Sequence, residues 1–424
     1  MVYEMQKKPE LLLPAGSLDA LETAFLYGAD AVYAGLPSLS LRAHDGFSDE
    51  TLLRGIETAH RAGKKIYLAL NLFSRNEDAE NFERFAERIG AFAPDGLIVS
   101  DPGVFVYMKK HLPTIPLHVS TQANVGSWMT AEFWKDLGAS MCVLSRETPF
   151  SDICEIKRRC KGLKIEMFIH GAMCMSYSGR CLLSAYMAGR SANRGRCAHA
   201  CRWEYNVYLE EKERPGELMP LYEDERGTYI MNSKDLCLMP KLDRILAAGI
   251  DCLKVEGRNK TPYYVAVTAR AYRKAIDDWF ENPQSWTPAP YMAELEALQN
   301  RGYTLGFFDG VTGPEQQNYD STQSTASWRN AGVIRERTER GFVFTIYQKL
   351  CAGDVLTFLC PDAMKTLQVS LPYLTDAFTG RCVETISPGK AGQAVILPYD
   401  FFKESDAASL PVRTVARIPA RENK

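Results

Sequence analysis

Apolar and polar positions along the first 280 residues alternate between two rhythms. Short, nearly unbroken apolar runs predict strands at "ELLLPAG" (10–16), "AVYAGL" (31–36), "KIYLALN" (65–71), "GLIVSD" (96–101), "PLHVSTQ" (116–122), "SMCVLSR" (140–146), "KIEMFIHG" (164–171) and "DCLKVEG" (251–257). Between most of them lie amphipathic stretches such as "SLDALETAFLYGA", "NFERFAERIGAF" and "TAEFWKDLGA" with the spacing of a helix packed on one side. Strands that alternate with helices pair in parallel, and strands apolar on both faces belong to a sheet covered on both sides. The entrances "GADAVYAG", "PDGLIVSD", "GASMCVLS" and "GIDCLKVEG" repeat one scheme: a glycine ends a helix, a short turn follows, and a strand begins. Eight such strands predict an α/β fold, a (β/α)8 TIM-like barrel over residues 1–280. An open doubly wound sheet is the alternative, and the absence of GxGxxG after the first strand counts against a dinucleotide fold.

Beyond residue 280 the rhythm changes. "ENPQSWTPAP" reads as a linker and "YMAELEALQNRGYTLGFF" begins as a helix, which makes 281–330 a connecting region. From residue 331, "AGVIRER", "GFVFTIYQ", "DVLTFLC", "LQVSLPYL", "GRCVETI" and "QAVILPY" are short strands split by Gly, Pro and Asp turns. They predict a small C-terminal all-β barrel or sandwich over 331–424.

A barrel of this kind carries its chemistry at the C-terminal ends of its strands. Those ends hold Asn71, Asp101, Ser120, Thr121, Gln122, Arg146, His170, Glu256 and Arg258, with Lys254 close by. Asp101, just before Pro102, serves equally well as a helix N-cap. His118, inside "PLHVST", is expected to be buried or to face the pore. Arg146 and Arg258 are candidates to hold a dicarboxylate, because a guanidinium grips a carboxylate with two parallel hydrogen bonds. Gln122 and Asn71 could read the edge of a base. Between His170 and the helical pattern "DLCLMPKLDRILAAGI" lies a long insertion at about 172–234, and a loop of that length is usually functional.

Composition narrows the chemistry. The net charge is −2 over 424 residues, so any nucleic-acid partner needs a local basic patch. No apolar run is long enough to span a membrane, and the chain opens without a leader pattern, which points to the cytoplasm. Thiols stay reduced there, so 12 cysteines suggest metal or redox chemistry more than disulfides. Cys142, Cys154, Cys160, Cys252, Cys351, Cys360 and Cys382 read as small buried hydrophobes. Cys174, Cys181, Cys197, Cys201 and Cys237 fall together in the pattern C-x6-C-x15-C-x3-C-x35-C. That spacing leaves an iron–sulfur cluster, a zinc site and unligated thiols all open. The stretch 171–203 holds four of these cysteines and five arginines with no Asp or Glu. Arg180, Arg190, Arg194, Arg196 and Arg202, with Trp203, suit RNA backbone and base stacking; a solvated basic loop is the plainer alternative. A protease has little to stand on: there is no H-E-x-x-H and no G-x-S-x-G, and Cys174 with His170 is the pair that can still be drawn.

The segments "PELLLPAGSLDALETAFLYGADAVYAG", "FIHGAMCMSYSGRCLLSAYMAGRSANRGRCAHACRW", "MNSKDLCLMPKL", "LKVEGRNK" and "NRGYTLGFF" together resemble the collagenase-like U-32 peptidase family over essentially the whole chain. Within that family the chain most resembles the prephenate-dependent tRNA uridine hydroxylation proteins. The resemblance implies O2-independent hydroxylation of the wobble uridine of tRNA to 5-hydroxyuridine, prephenate as co-substrate and a 4Fe-4S cluster. Carried over position by position, it gives Cys174, Cys181 and Cys237 as cluster ligands, with Cys197, or Cys201 in its place, as the other. Position at the strand ends and in the insertion, apart from the resemblance, makes Arg146, Arg258, Glu256 and His170 the candidates for catalysis, and Asn71, Gln122, Lys254, Arg180, Arg194, Arg196 and Trp203 those for substrate binding. The family's older name implies an endopeptidase instead, and a non-catalytic cluster carrier fits the same residues.

Overall fold

The computed structural model describes residues 7–36, 40, 47–72, 74–79, 81–174, 176–203, 208–209, 215–216, 219–220, 233–310, 326–361, 364–389 and 392–420. Much of the later half of the expected insertion and part of the connecting region lie outside the described residues.

Seven strands, β1 (Glu10–Pro14), β2 (Ala31–Gly35), β3 (Lys65–Leu70), β4 (Gly96–Val99), β5 (Leu117–Val119), β6 (Met141–Val143) and β7 (Lys164–Ala172), pair in sequence order. An eighth, Cys252–Val255, pairs in parallel with both β1 and β7 and closes the ring. The chain is therefore a parallel eight-stranded barrel, and the open doubly wound alternative is ruled out by that closure. Leu11, Leu12 and Leu13 are all fully buried, as strands packed between a barrel interior and an outer layer of helices must be. Most strands end earlier than their apolar runs suggested. In "PLHVSTQ" only Leu117–Val119 is strand, and Thr121–Ala123 turns into a single 3-10 turn capped by Ser120. Helix starts follow sequence chemistry: the Ser17 hydroxyl accepts from the Ala20 amide at 3.2 Å. Asp101 accepts from the amides of Gly103 and Val104, with Pro102 in the first helical position, so it is a cap.

The barrel interior carries polar groups. His118 is buried against Tyr67, with ring centroids 4.6 Å apart. Lys254 donates to Glu166 at 2.6 Å with both side chains out of solvent. β7 overshoots the ring, and its last residues pair antiparallel with the strand Asp235–Cys237, which in turn pairs with Tyr303–Thr304. The helical reading of "DLCLMPKLDRILAAGI" is corrected here. Its first three residues are strand, a 3-10 turn holds Pro240, and the helix proper is Leu242–Ala247.

The C-terminal region is an antiparallel sheet of eight strands in the order Thr366–Ser370, Val355–Leu359, Val415–Pro419, Trp328–Thr338, Gly341–Ile346, Ala394–Leu397, Leu374–Asp376, Cys382–Val383, a half-barrel. Val415–Pro419, which no apolar alternation announced, lies inside this sheet rather than at its edge. The half-barrel is locked to the barrel. The Tyr27 hydroxyl donates to the Leu359 carbonyl at 2.8 Å and accepts from the Val415 amide at 3.0 Å. Glu294, on the connecting helix Ala289–Glu296, binds Arg270 of the barrel and Arg417 of the sheet.

Candidate functional site

The strand ends and the insertion meet around one cavity of about 1030 Å³, open solvent included. Its floor comes from the barrel: Tyr33, Asn71, Gln122, Arg146, Phe168, Lys254, Glu256 and Arg258. Its roof comes from the insertion and includes Cys174, Cys181, Cys197 and Cys201.

The floor is a held array of charge. Arg146 donates to the Ala172 carbonyl at 2.8 Å, lies 4.1 Å from the centre of the Phe168 ring, and approaches Glu256 at 3.9 Å. Glu256 accepts from the Tyr33 hydroxyl at 3.3 Å. Arg258 donates to the Ser40 hydroxyl, which donates on to Asn71 Oδ1 at 3.2 Å. A Cβ on Gly35 would stand 2.5 Å from Arg258 Nη1, so the absence of a side chain there makes room for the guanidinium. Arg146, Lys254 and Arg258 outnumber the carboxylates of Glu256 and Glu166, which leaves the floor net positive and suited to an anionic ligand. Gln122 is 8% exposed, and its side-chain oxygen has no hydrogen-bond partner. A buried acceptor of this kind facing a cavity is ready for a donor from a ligand.

The roof is pinned down by contacts that local sequence hides. Arg180 donates twice to the Gln122 carbonyl, at 3.1 and 2.8 Å. The backbone amide and hydroxyl of Ser178 both donate to Glu147, at 2.6 and 2.8 Å. Arg194 forms ion pairs with Asp78 and with Glu77, the latter at 3.1 Å. That bond to Arg194 holds the Asp78 carboxyl below its usual range. Arg194 therefore tethers the roof to the segment Asn76–Ala79 that follows β3. Arg196 and Trp203 are exposed, as are Tyr177, Leu182 and Tyr186.

Four thiols share this roof. Burial pushes the Cys201 thiol up, Arg202 pulls it part of the way back, and Cys174, Cys197 and Cys181 push it further. The His199 amide donates to Cys197 Sγ at 3.4 Å. Among the described residues, no three His, Cys, Asp or Glu side chains are arranged to hold a single metal ion. The thiols line a space instead of converging on a point.

Of the expected cluster ligands and catalytic residues, two do not line the cavity. Cys237, expected as a ligand, is 1% exposed, with its thiol 3.8 Å from the Tyr272 hydroxyl and 3.7 Å from Met292 Sδ. Burial raises its pKa to about 11. The reason is its three-residue strand, which sets Cys237 opposite His170 in the ladder. Cys201, expected as a substitute for Cys197, stands beside it instead. His170, expected among the catalytic residues, sits among the rings of Tyr264, Tyr272 and Tyr303, and burial lowers its pKa to about 4. No Cys174–His170 pair forms at the cavity. Tyr33, Phe168 and Ser40 were not foreseen; the first two alternate with core residues along their strands and carry no sequence signal beyond that alternation.

The family model described as peptidase family U32 matches residues 16–318. The tRNA hydroxylation protein P of Escherichia coli is 39% identical over 92% of this chain and 94% of its own. The tRNA hydroxylation protein P1 of Bacillus subtilis is 36% identical over 84% of each chain. An uncharacterized protease of Methanocaldococcus jannaschii is 32% identical over 89% of each chain. With its barrel matched nearly end to end and relatives aligned over most of its length, the chain belongs to peptidase family U32.

Proposed function

We propose that this protein hydroxylates tRNA, converting the wobble uridine to 5-hydroxyuridine without O2, with prephenate as co-substrate and a 4Fe-4S cluster in the roof of the cavity. The observation that carries the reading is the coincidence of two chemistries in one space: four thiols above, and a net positive, hydrogen-bonded floor below. The names of the bacterial relatives support the same class of activity.

Cys174, Cys181, Cys197 and Cys201 are the residues that would hold the cluster. One thiolate per iron, spread about a body and not meeting at a point, is what such a cluster takes. When bound, it would supply one-electron redox capacity. The rest is work for this chain. Arg146 and Arg258 are placed to bind and orient the two carboxylates of a dicarboxylate, each already braced by an aromatic ring. Gln122 and Asn71 are placed to hydrogen-bond a uracil edge, which fixes the base relative to the reacting carbon. The roof, tethered by Arg180, Ser178 and Arg194, shields the floor from bulk water. The endopeptidase reading lacks a histidine base here, since neither His118 nor His170 lines the cavity.

Purified protein tested anaerobically with tRNA from a strain lacking the modification should form 5-hydroxyuridine only when prephenate is added. Cluster-loaded protein that forms none, but cuts collagen-like peptides, would return the endopeptidase reading to first place.

A further inference from the structure

A second cleft of about 1140 Å³, open solvent included, lies between the loop that follows the eighth barrel strand and the first strand of the half-barrel. It adjoins the cavity through consecutive residues: Arg258 lines the cavity and Asn259 lines the cleft. Tyr264 forms part of the wall between them, and its hydroxyl donates to the Glu256 carbonyl at 2.8 Å.

The lining has an unusual chemistry. Four carboxamides face it, Asn259, Gln299, Asn330 and Gln348, and Asn330 Oδ1 is buried without a hydrogen-bond partner. Two cations, Lys260 and Arg329, join them. Among the described residues that line it, no carboxylate appears. The aromatic share is Tyr263, the Trp328 ring, backed by Arg417 at 4.5 Å, and Tyr264, with the Lys260 amine 5.3 Å from its centre. Burial lowers the pKa of Lys260; the charges of Asp235 and Glu256 behind the lining raise it, and those of Arg301 and of Arg202 from the insertion lower it.

Resting on the proposed function, we infer that this cleft binds the single-stranded RNA flanking the nucleotide that enters the barrel mouth. Carboxamides both donate and accept, as base edges do. A lysine and an arginine in a lining that shows no carboxylate suit phosphates, and a backed indole offers a stacking face. A protein partner would call for a mainly apolar centre, whereas here carboxamides and cations share the lining with Leu298, Ala326 and the aromatic rings. The half-barrel thereby gains a role. Tyr27 and the Arg270–Glu294–Arg417 bridge fix it against the barrel, so the cleft stands at a set width before RNA arrives.

The test uses the full chain and a labelled, unmodified tRNA anticodon stem-loop, with affinity read by fluorescence anisotropy across a salt series. Lys260→Ala with Arg329→Ala should weaken binding about 10-fold or more near 0.1 M salt and lower the log–log salt slope by about two. Gln348→Ala, which removes no charge, should weaken binding without changing the slope. Prephenate binding and the melting temperature should stay as in the parent protein. A parent protein that binds the stem-loop while all variants match it in affinity and slope would overturn the cleft and spare the proposed function; that is also the result if a protein segment occupies the cleft. A parent protein that does not bind the RNA at all would overturn both.

Discussion

Lys254 lies where stability and function can be separated. Its amine donates to Glu166 at 2.6 Å, with side chains 5% and 0% exposed, and it stands 4.4 Å from the centre of the Tyr33 ring. Lys254→Met keeps the length of the side chain but strands a carboxylate in the barrel interior. Losing one partner of a buried pair costs about 3–5 kcal/mol, a large part of a typical folding free energy. Adding Glu166→Gln removes the stranded charge and should recover most of the stability, because replacing both partners is close to neutral. Urea unfolding measures all three proteins. A single variant within about 1 kcal/mol of the parent, or a double variant no better than the single, would refute the reasoning. The double variant has a second use: folded, iron-loaded and inactive, it would place Lys254 in the binding of the anionic substrate.

Three further outcomes follow from the site. Arg258→Ala should abolish hydroxylation while the iron content is unchanged. Arg258→Lys should restore little, since losing a buried two-pronged contact costs about 2–5 kcal/mol and an ammonium cannot replace the planar fork; iron assay and nucleoside analysis read the two effects separately. Cys201→Ser should bleach the anaerobically purified protein as Cys174→Ala does, whereas Cys237→Ala should keep its iron, and the reverse pattern would move the ligand back to Cys237. His118 titrates well below its ordinary 6.5, at about 3, because of burial and then the Lys254 charge. Between those values the unfolded chain holds the extra proton, so His118 costs stability as the pH falls. His118→Asn should remove a slope of about 1.4 kcal/mol per pH unit from stability between about pH 6 and pH 4.

The barrel was legible because each strand is an apolar run, most of them with polar residues at the C-terminal end. The same feature placed Asn71, Gln122, Arg146, Glu256 and Arg258 at one mouth before any coordinates. The thiol set was less legible. Spacing along the chain cannot tell whether Cys237 reaches the other cysteines, and what decides it is a three-residue strand paired with the overshooting end of β7. Arg194 shows a related limit. The stretch around it has no acid, yet its counter-charges, Asp78 and Glu77, come from a loop more than 100 residues earlier. A locally acid-free sequence is therefore no guide to which cations face outward. His170 misled for a similar reason: it ends an apolar run, but the extra strand Asp235–Cys237 covers that end and buries the ring among tyrosines.

The central claim, that this protein hydroxylates the wobble uridine of tRNA, is tested most directly by mass spectrometry of tRNA nucleosides from a strain lacking this gene and any paralogue, with the gene returned as parent or as Arg258→Ala. Loss of 5-hydroxyuridine and its derivatives in the deletion, restoration by the parent and no restoration by Arg258→Ala is the expected pattern. An unchanged nucleoside profile in the deletion strain would contradict it.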